Sequence, residues 1–187
     1  MYPTHWKENL INALENFDQS EKIELIFTEF LEITYKLDWK GACHESTSVI
    51  HILLNELGIN NNWKIGEVFG NECLFDHSWI EIDNKIFDIA ITKTLFEKAR
   101  NAPIINDIDI NKNCIHNIEY GIKSGQELSP ETQFVMNIDL SDYLSNSPIN
   151  PTYGTWAIIL DIGKKLNLNL DIKLLIKKYK DKFYKEA

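Results

Sequence analysis

The chain has 187 residues, of which 44% are hydrophobic, and it carries a formal net charge of −9. This length is sufficient for a sizeable core, so residues 1–187 are expected to form a single domain. The acidic balance argues against nonspecific binding to nucleic acid or to anionic membranes. No apolar run approaches the roughly 18 residues that a membrane-spanning helix needs.

Cysteine usage favours a reducing compartment. The three cysteines, Cys43, Cys73 and Cys114, are too few and odd in number for a disulfide framework. The first residues also lack the basic and then apolar regions of a secretion signal. We therefore expect a cytoplasmic protein in which Cys73 and Cys114 have structural roles.

Two amphipathic helices are predicted at the start of the chain. Residues 4–16 place apolar side chains on one face behind Thr4, which is a suitable N-cap. Residues 20–35 repeat apolar side chains at spacings of three and four. We interpret both helices as scaffold.

A third helix is predicted to begin with a cysteine. Small or apolar residues recur at spacings of three and four from Ala42 to Leu57, and Gly58 follows where a left-handed cap is expected. Cys43 then lies in the first turn, where unpaired backbone N–H groups favour an anion. This position should lower the pKa of the thiol from its free value of about 8.5.

Strands are predicted over residues 63–69, 74–82 and 85–90, and Asp83 and Asn84 form the turn between the last two. Asx residues tolerate the positive φ angles that a two-residue hairpin turn requires. The second and third strands should therefore form a hairpin.

The position of this turn decides which side chains share a face of the hairpin. With a two-residue turn, Ile82 opposes Lys85, and His77 becomes a diagonal neighbour of Asp88 on the face that also carries Trp79. A slip of one residue would move Asp88 to the opposite face.

The rest of the chain is predicted to add peripheral elements. They are a helix over 92–102 ended by Pro103, strands at 104–105 and 118–122 around a loop at 106–117, a helix start at Ser129-Pro130, a helical turn at 139–144, and helices over 155–166 and 171–184. The loop at 145–153 contains two prolines and is the best candidate for an internal boundary. Residues 150–187 are thus expected to be a helical extension.

Cys43, His77 and Asp88 have the residue types of a nucleophilic triad. An imidazole within reach of a thiol accepts its proton, and a carboxylate fixes the imidazole tautomer and stabilises its charge. Asp88 lies in an apolar strand, where an unpaired carboxylate is costly, and His77 is the partner available on its face. The alternative for a lone cysteine is a small buried hydrophobe.

The residues Gly41 to Ser46, the helix end at 53–59, the strand segment 76–83 and Asp88 together resemble the core of the transglutaminase-like superfamily. The nearest likeness is to the compact bacterial branch that includes the lasso-peptide leader peptidases. The approach to Cys43 is also similar to that of arylamine N-acetyltransferases. The likeness spans residues 39–90, with Ser78 where the family pattern usually has Ala.

This resemblance implies an α+β fold with a papain-like core, in which an antiparallel sheet packs on a central cysteine-bearing helix. Helices at both ends of the chain would be additions to that core. It also implies that Cys43 is the nucleophile, His77 the general acid and base, and Asp88 the orienting acid.

The second donor of an oxyanion hole is left open by the sequence. Papain-like enzymes use a Gln upstream of the cysteine, and no Gln lies between Ser20 and Cys43. The indole N–H of Trp39 is a candidate beside the Cys43 backbone N–H. Trp79 could line the cleft or pack in the core, with packing favoured.

No cofactor or metal is expected. Cys43, His44, Glu45 and His51 offer ligand types, but adjacent side chains point to different helix faces, and no pair has metal-ligand spacing. No phosphate-binding glycine loop is present.

We therefore expect a thiol-dependent hydrolase, either a peptidase or an amidase, or an acyltransferase. It would act on a peptide or a small amide or ester through a thioester intermediate. Hydrolysis is favoured because no amine or cofactor site is recognisable. The alternative is a catalytically inactive binding or scaffold domain with the same fold.

Overall fold

Three helices precede the strands in the computed structural model, which describes residues 1–187. They are α1 (His5–Ala13), α2 (Ser20–Lys36) and α3 (Cys43–Glu56). All three predicted helices are confirmed, although α1 ends earlier than predicted. The side chain of Thr4 makes no capping hydrogen bond.

The C-terminal end of α3 is a Schellman cap. Gly58 adopts a φ of +75°, and its N–H donates to the Asn55 carbonyl at 3.0 Å. The Ile59 N–H donates to the Leu54 carbonyl at 2.9 Å. These bonds satisfy carbonyls that the helix itself leaves unpaired, so the predicted cap is confirmed.

Eight strands form two sheets. They are β1 (Asn62–Gly70), β2 (Cys73–Ile82), β3 (Lys85–Phe87), β4 (Ile104–Ile105), β5 (Ile108–Asp109), β6 (Cys114–Ile115), β7 (Glu119–Ile122) and β8 (Lys185–Glu186). The main sheet has the antiparallel order β3-β2-β1-β7, and β8 pairs with β1 in parallel. Strands β4 to β6 form a small sheet of their own.

The hairpin register is as predicted. Ile82 pairs with Lys85, and the turn residues Asp83 and Asn84 have φ angles of 52° and 60°. Two successive positive φ angles are the signature of a type I′ turn. Strand β3 is shorter than predicted, because Asp88 leaves β2 and exchanges backbone hydrogen bonds with Ile104 at 2.8 and 2.9 Å.

The prediction of a helix over residues 92–102 is wrong. Two short 3-10 turns, Ala90–Lys93 and Glu97–Ala99, occupy this segment. Asp88 accepts the Ile91 N–H through its side chain and so starts a tight turn, and Thr94 then adopts an extended conformation with a ψ of 152°. The loop predicted at 106–117 contains β5 and β6, and β4 pairs with β5 instead of joining the main sheet.

Four helices follow β7. They are α4 (Pro130–Asn137), α5 (Leu140–Ser145), α6 (Trp156–Lys165) and α7 (Ile172–Tyr179). Ser129 caps α4 as predicted, since its side chain accepts the Thr132 N–H. The helix predicted to reach residue 184 ends at Tyr179. The segment after it becomes β8, which occupies the edge of β1 at Lys64 and Ile65 that β7 does not reach.

The helices from both ends of the chain share one core. Phe27 of α2, Leu53 of α3, Trp156 of α6 and Leu175 of α7 belong to a single cluster of 32 buried residues, which packs on one face of the main sheet. A smaller cluster of 7 buried residues, including Val68 and Trp79, covers the opposite face. None of the helices combines the length and the apolar composition that crossing a membrane requires.

Candidate active site

A buried histidine–carboxylate pair lies where β3 ends. His77 Nε2 is 2.8 Å from Asp88 Oδ2, and each side chain is at most 2% exposed. The two residues are the diagonal neighbours that the Asp83-Asn84 turn predicts. Because Nε2 is engaged by Asp88, Nδ1 is the ring nitrogen of His77 that is left for another group.

Asp88 has two further donors. Its Oδ1 accepts the Ile91 N–H at 3.1 Å, and its Oδ2 accepts the Tyr120 hydroxyl at 2.9 Å as well as His77. This arrangement supports a carboxylate, since a buried anion needs donors on both oxygens. Tyr120 lies on β7, across β1 from β2, and the sequence analysis did not identify it.

Cys43 is the first residue of α3 and is half-buried. It lines a cleft of about 640 Å³ together with Gly41, His44, His77 and Ala90. The thiol, the imidazole and the open space that a substrate would need therefore share one site. Cys73 is half-buried and Cys114 is exposed, and neither lines this cleft.

Two imidazoles set the protonation state of the thiol. Burial raises the pKa of Cys43, but charge and hydrogen-bond interactions with His44 and then His77 outweigh it and hold the pKa well below its ordinary value. Burial lowers the pKa of His77, but Asp88 and Cys43 outweigh it and raise the pKa to about 10. These directions favour a thiolate–imidazolium pair at neutral pH.

His44 is the residue that the sequence analysis considered only as a metal ligand. Its Nδ1 is 2.7 Å from Ser78 Oγ, and Ser78 is fully buried. Burial lowers the pKa of His44, yet the interactions with Cys43 raise it above the ordinary value. Consecutive strand residues point to opposite faces, so His44, held by Ser78, and His77 approach Cys43 from different sides.

The loop before Cys43 is fixed by backbone contacts. The Gly41 N–H donates to the Lys93 carbonyl at 2.9 Å, and Gly41 adopts a φ of +69°. A Cβ at this position would lie 2.8 Å from Leu95 Cγ. Glycine is therefore required both by the left-handed conformation and by the close approach.

Neither predicted tryptophan lines the cleft. Trp39 packs against the main core, where its ring stacks on Phe30 with centroids 6.0 Å apart. Trp79 is 1% exposed, and its Nε1 donates to Glu81 Oε1 at 3.2 Å. Trp39 is therefore not placed to act as the predicted oxyanion donor, because its indole packs on the core instead. Trp79 packs in the core, which is the alternative that the sequence favoured.

His51 and Glu45 form no metal site with Cys43 and His44. The structure contains no group of three His, Cys, Asp or Glu side chains placed to hold a metal ion. His51 instead bonds Asn61 through Nδ1 at 2.7 Å and Asn55 through Nε2 at 3.0 Å.

The remaining lining of the cleft combines apolar and acidic side chains. The apolar ones are Leu74, Phe75, Leu95 and Phe96, and the acidic ones are Asp76, Glu127 and Glu131. The start of α4 is joined to β2 where Asp76 Oδ2 accepts the Ser129 N–H at 2.6 Å. Such contacts join distant segments, and no local sequence pattern indicates them.

No family model matches the chain, and comparisons with curated proteins and with solved structures likewise find no match. The site is therefore interpreted from its own geometry.

Proposed function

We propose that the protein is a thiol-dependent hydrolase or acyltransferase acting on an amide or ester, with Cys43, His77 and Asp88 as its triad. The observation that carries this proposal is the buried His77–Asp88 pair, with a bond of 2.8 Å, beside Cys43 in an open cleft. The lowered pKa of the thiol supports the same assignment.

In the first half-reaction the Cys43 thiolate attacks the carbonyl carbon of the substrate. A C–S bond forms, and the π electrons of the carbonyl move onto its oxygen. When the carbonyl re-forms, the bond to the leaving amine or alkoxide breaks, and His77 supplies the proton that the leaving group takes.

In the second half-reaction water, or an acceptor amine, attacks the thioester. His77 takes the proton of the attacking group, the C–S bond breaks, and the thiolate is restored. Asp88 stabilises the imidazolium that precedes the first proton transfer and the one that follows the second, and it orients the neutral ring of the acyl-enzyme between them. Tyr120 and the Ile91 N–H hold the carboxylate in place.

We also propose that the chain is a divergent member of the transglutaminase-like superfamily. The order of a cysteine at a helix start, a histidine on the second strand and an aspartate just after the third supports this membership. So does the packing of α3 against an antiparallel sheet.

The test is thiol reactivity in a Cys73→Ser/Cys114→Ser background, where Cys43 is the one remaining thiol. Cys43 should react with iodoacetamide at pH 6 at least tenfold faster than a free thiol, and His77→Ala should remove much of this advantage. Intact mass after exposure to p-nitrophenyl acetate should show one acetyl group that Cys43→Ala lacks. His51→Ala, on the same helix, is the matched control and should retain both signals.

An ordinary alkylation rate at pH 6 that His77→Ala leaves unchanged would contradict the proposal. That result would favour a binding or scaffold domain that retains the fold without catalysis.

A further inference from the structure

Attack by Cys43 on a carbonyl would place a negative charge on the carbonyl oxygen. The backbone N–H of Cys43 has no acceptor in the structure and is available to this oxygen. Oxyanion sites typically gain a few kcal/mol from each donor, so a second donor would add substantially to the stabilisation of the transition state. Trp39 is packed elsewhere, so a second donor must come from another residue.

His44 is fixed in position by three neighbours. Its carbonyl accepts the Ser48 hydroxyl at 2.7 Å and also the Tyr184 hydroxyl. Its ring is tied through Nδ1 to Ser78, and both serines are fully buried. Backbone and ring are therefore both held, which is the preorganisation that transition-state stabilisation requires.

The ring of His44 also lies at the cleft in which the oxyanion would form. His44 lines the same cleft as Cys43 and His77. With Nδ1 engaged by Ser78, Nε2 is the nitrogen left to interact with Cys43 and with a group bound beside it. His77 cannot serve as this donor, because Asp88 holds its Nε2 and the proton transfers need its Nδ1.

We propose that His44 is a catalytic residue whose Nε2–H donates to the oxyanion, beside the backbone N–H of Cys43. This inference rests on the proposed function. It assigns different tasks to the two imidazoles: His77 moves protons, and His44 binds charge.

The protonation of His44 agrees with this task. Its interactions with Cys43 raise its pKa, which extends the pH range in which both ring nitrogens carry protons. A charged donor also forms a stronger hydrogen bond to an oxyanion than a neutral one.

The experiment compares His44→Leu and His44→Gln with the parent enzyme on a p-nitrophenyl ester and on its thionoester. Leu removes the donor, whereas the Gln amide can still donate. The ester acylation rate should fall about 10²- to 10³-fold in His44→Leu and recover in part in His44→Gln. The thionoester rate should fall much less, because sulfur is a poor acceptor.

The control is the rate of iodoacetamide alkylation at its high-pH plateau, where Cys43 is fully ionised in each variant and the displacement forms no oxyanion. It should change less than threefold. Ser78→Ala, which frees the ring without removing it, should lower the ester rate while also leaving alkylation intact. This second variant keeps the test decisive if His44→Leu does not fold.

Equal losses in ester acylation and in the plateau rate of alkylation, or no loss of ester acylation, would overturn the role of His44 while leaving the triad intact. An absence of acylation at Cys43 in the parent enzyme would instead overturn the proposed function, and this inference with it.

Discussion

Helix α3 carries two histidines, His44 and His51, that are two turns apart and have opposite properties. The pKa of His51 is lowered to about 4, mainly by burial, whereas that of His44 is raised. His51 bonds only the neutral amides of Asn61 and Asn55, and it stacks on Trp63 with the rings 4.6 Å apart. His44 lies beside Cys43, whose thiol pKa is held well below its ordinary value.

The difference shows that burial alone does not mark a functional histidine. Burial disfavours the charged form of both rings, and their neighbours decide the outcome. Amide partners leave His51 neutral and structural. A thiol partner raises the pKa of His44, at the end of α3 that opens into the cleft.

The largest expected effect comes from Asp88→Asn. A neutral amide does not stabilise the His77 imidazolium, so acylation of Cys43 should fall by about 10³-fold or more. The measurement is single-turnover acylation by p-nitrophenyl acetate. His51→Gln, at the structural end of α3, should stay within twofold of the parent rate. If Asp88→Asn retained more than a tenth of the parent acylation rate, the catalytic end of α3 would not differ from its structural end as proposed.

A stability effect should come from His51. Because its folded pKa of about 4 lies below the ordinary 6.5, the unfolded chain binds the proton more readily. Its contribution is fully present above pH 6.5 and is lost as the pH falls towards 4, by about 2–3 kcal/mol at pH 4.5. Urea unfolding at pH 7.5 and 4.5 should show this loss, and His51→Gln should lack that part of it. An unchanged pH dependence in the variant would contradict the assignment.

Tyr120→Phe tests how the neighbours of Asp88 set the pKa of His77. Without the Tyr120 hydroxyl, Asp88 Oδ2 is left to His77 alone, and the carboxylate holds the imidazolium more strongly. The pKa of His77 should therefore rise further, and turnover should fall by about tenfold at most, since His77 must release its proton. Nitrogen NMR of the His77 ring during a pH titration measures the shift. A lowered pKa would show that Tyr120 has another role.

An effect on stability, without a direct effect on the chemistry, is expected at the hairpin turn. Asn84 has a φ of 60°, so Asn84→Ala should cost about 1–2 kcal/mol of unfolding free energy. Asn84→Gly should cost little, because glycine adopts this conformation freely. Chemical denaturation of both variants checks the contrast. Equal losses of unfolding free energy in the two variants would mean that the positive φ at residue 84 does not contribute to the stability of the hairpin.

The parts of the site that are close in sequence could be predicted. Asp83 and Asn84 tolerate positive φ, and this local property sets the register that joins His77 to Asp88. The Cys43 helix could be placed from its apolar spacing and from Gly58. These features depend on neighbours along the chain, and they determine the positions of all three proposed triad residues.

Contacts between distant segments could not be predicted. Tyr120 reaches Asp88 only because β7 pairs with the far side of β1, and Ser78 meets His44 only because α3 packs on β2. The error for residues 92–102 has the same origin. Apolar spacing favoured a helix there, but the side chain of Asp88 captures the Ile91 N–H and starts a tighter turn.

The separation of the site residues along the chain has a consequence for the order of folding. His77 and Asp88 are 11 residues apart and belong to one hairpin, whereas the Ser78 contact with His44 spans 34 residues. Short loops close at a lower entropy cost, so the histidine–carboxylate pair can form before α3 docks on the sheet. Until α3 docks, Cys43 lacks the interactions with His77 that help to lower the pKa of its thiol. Under the proposed function, the triad is therefore complete only once the cleft around it has formed.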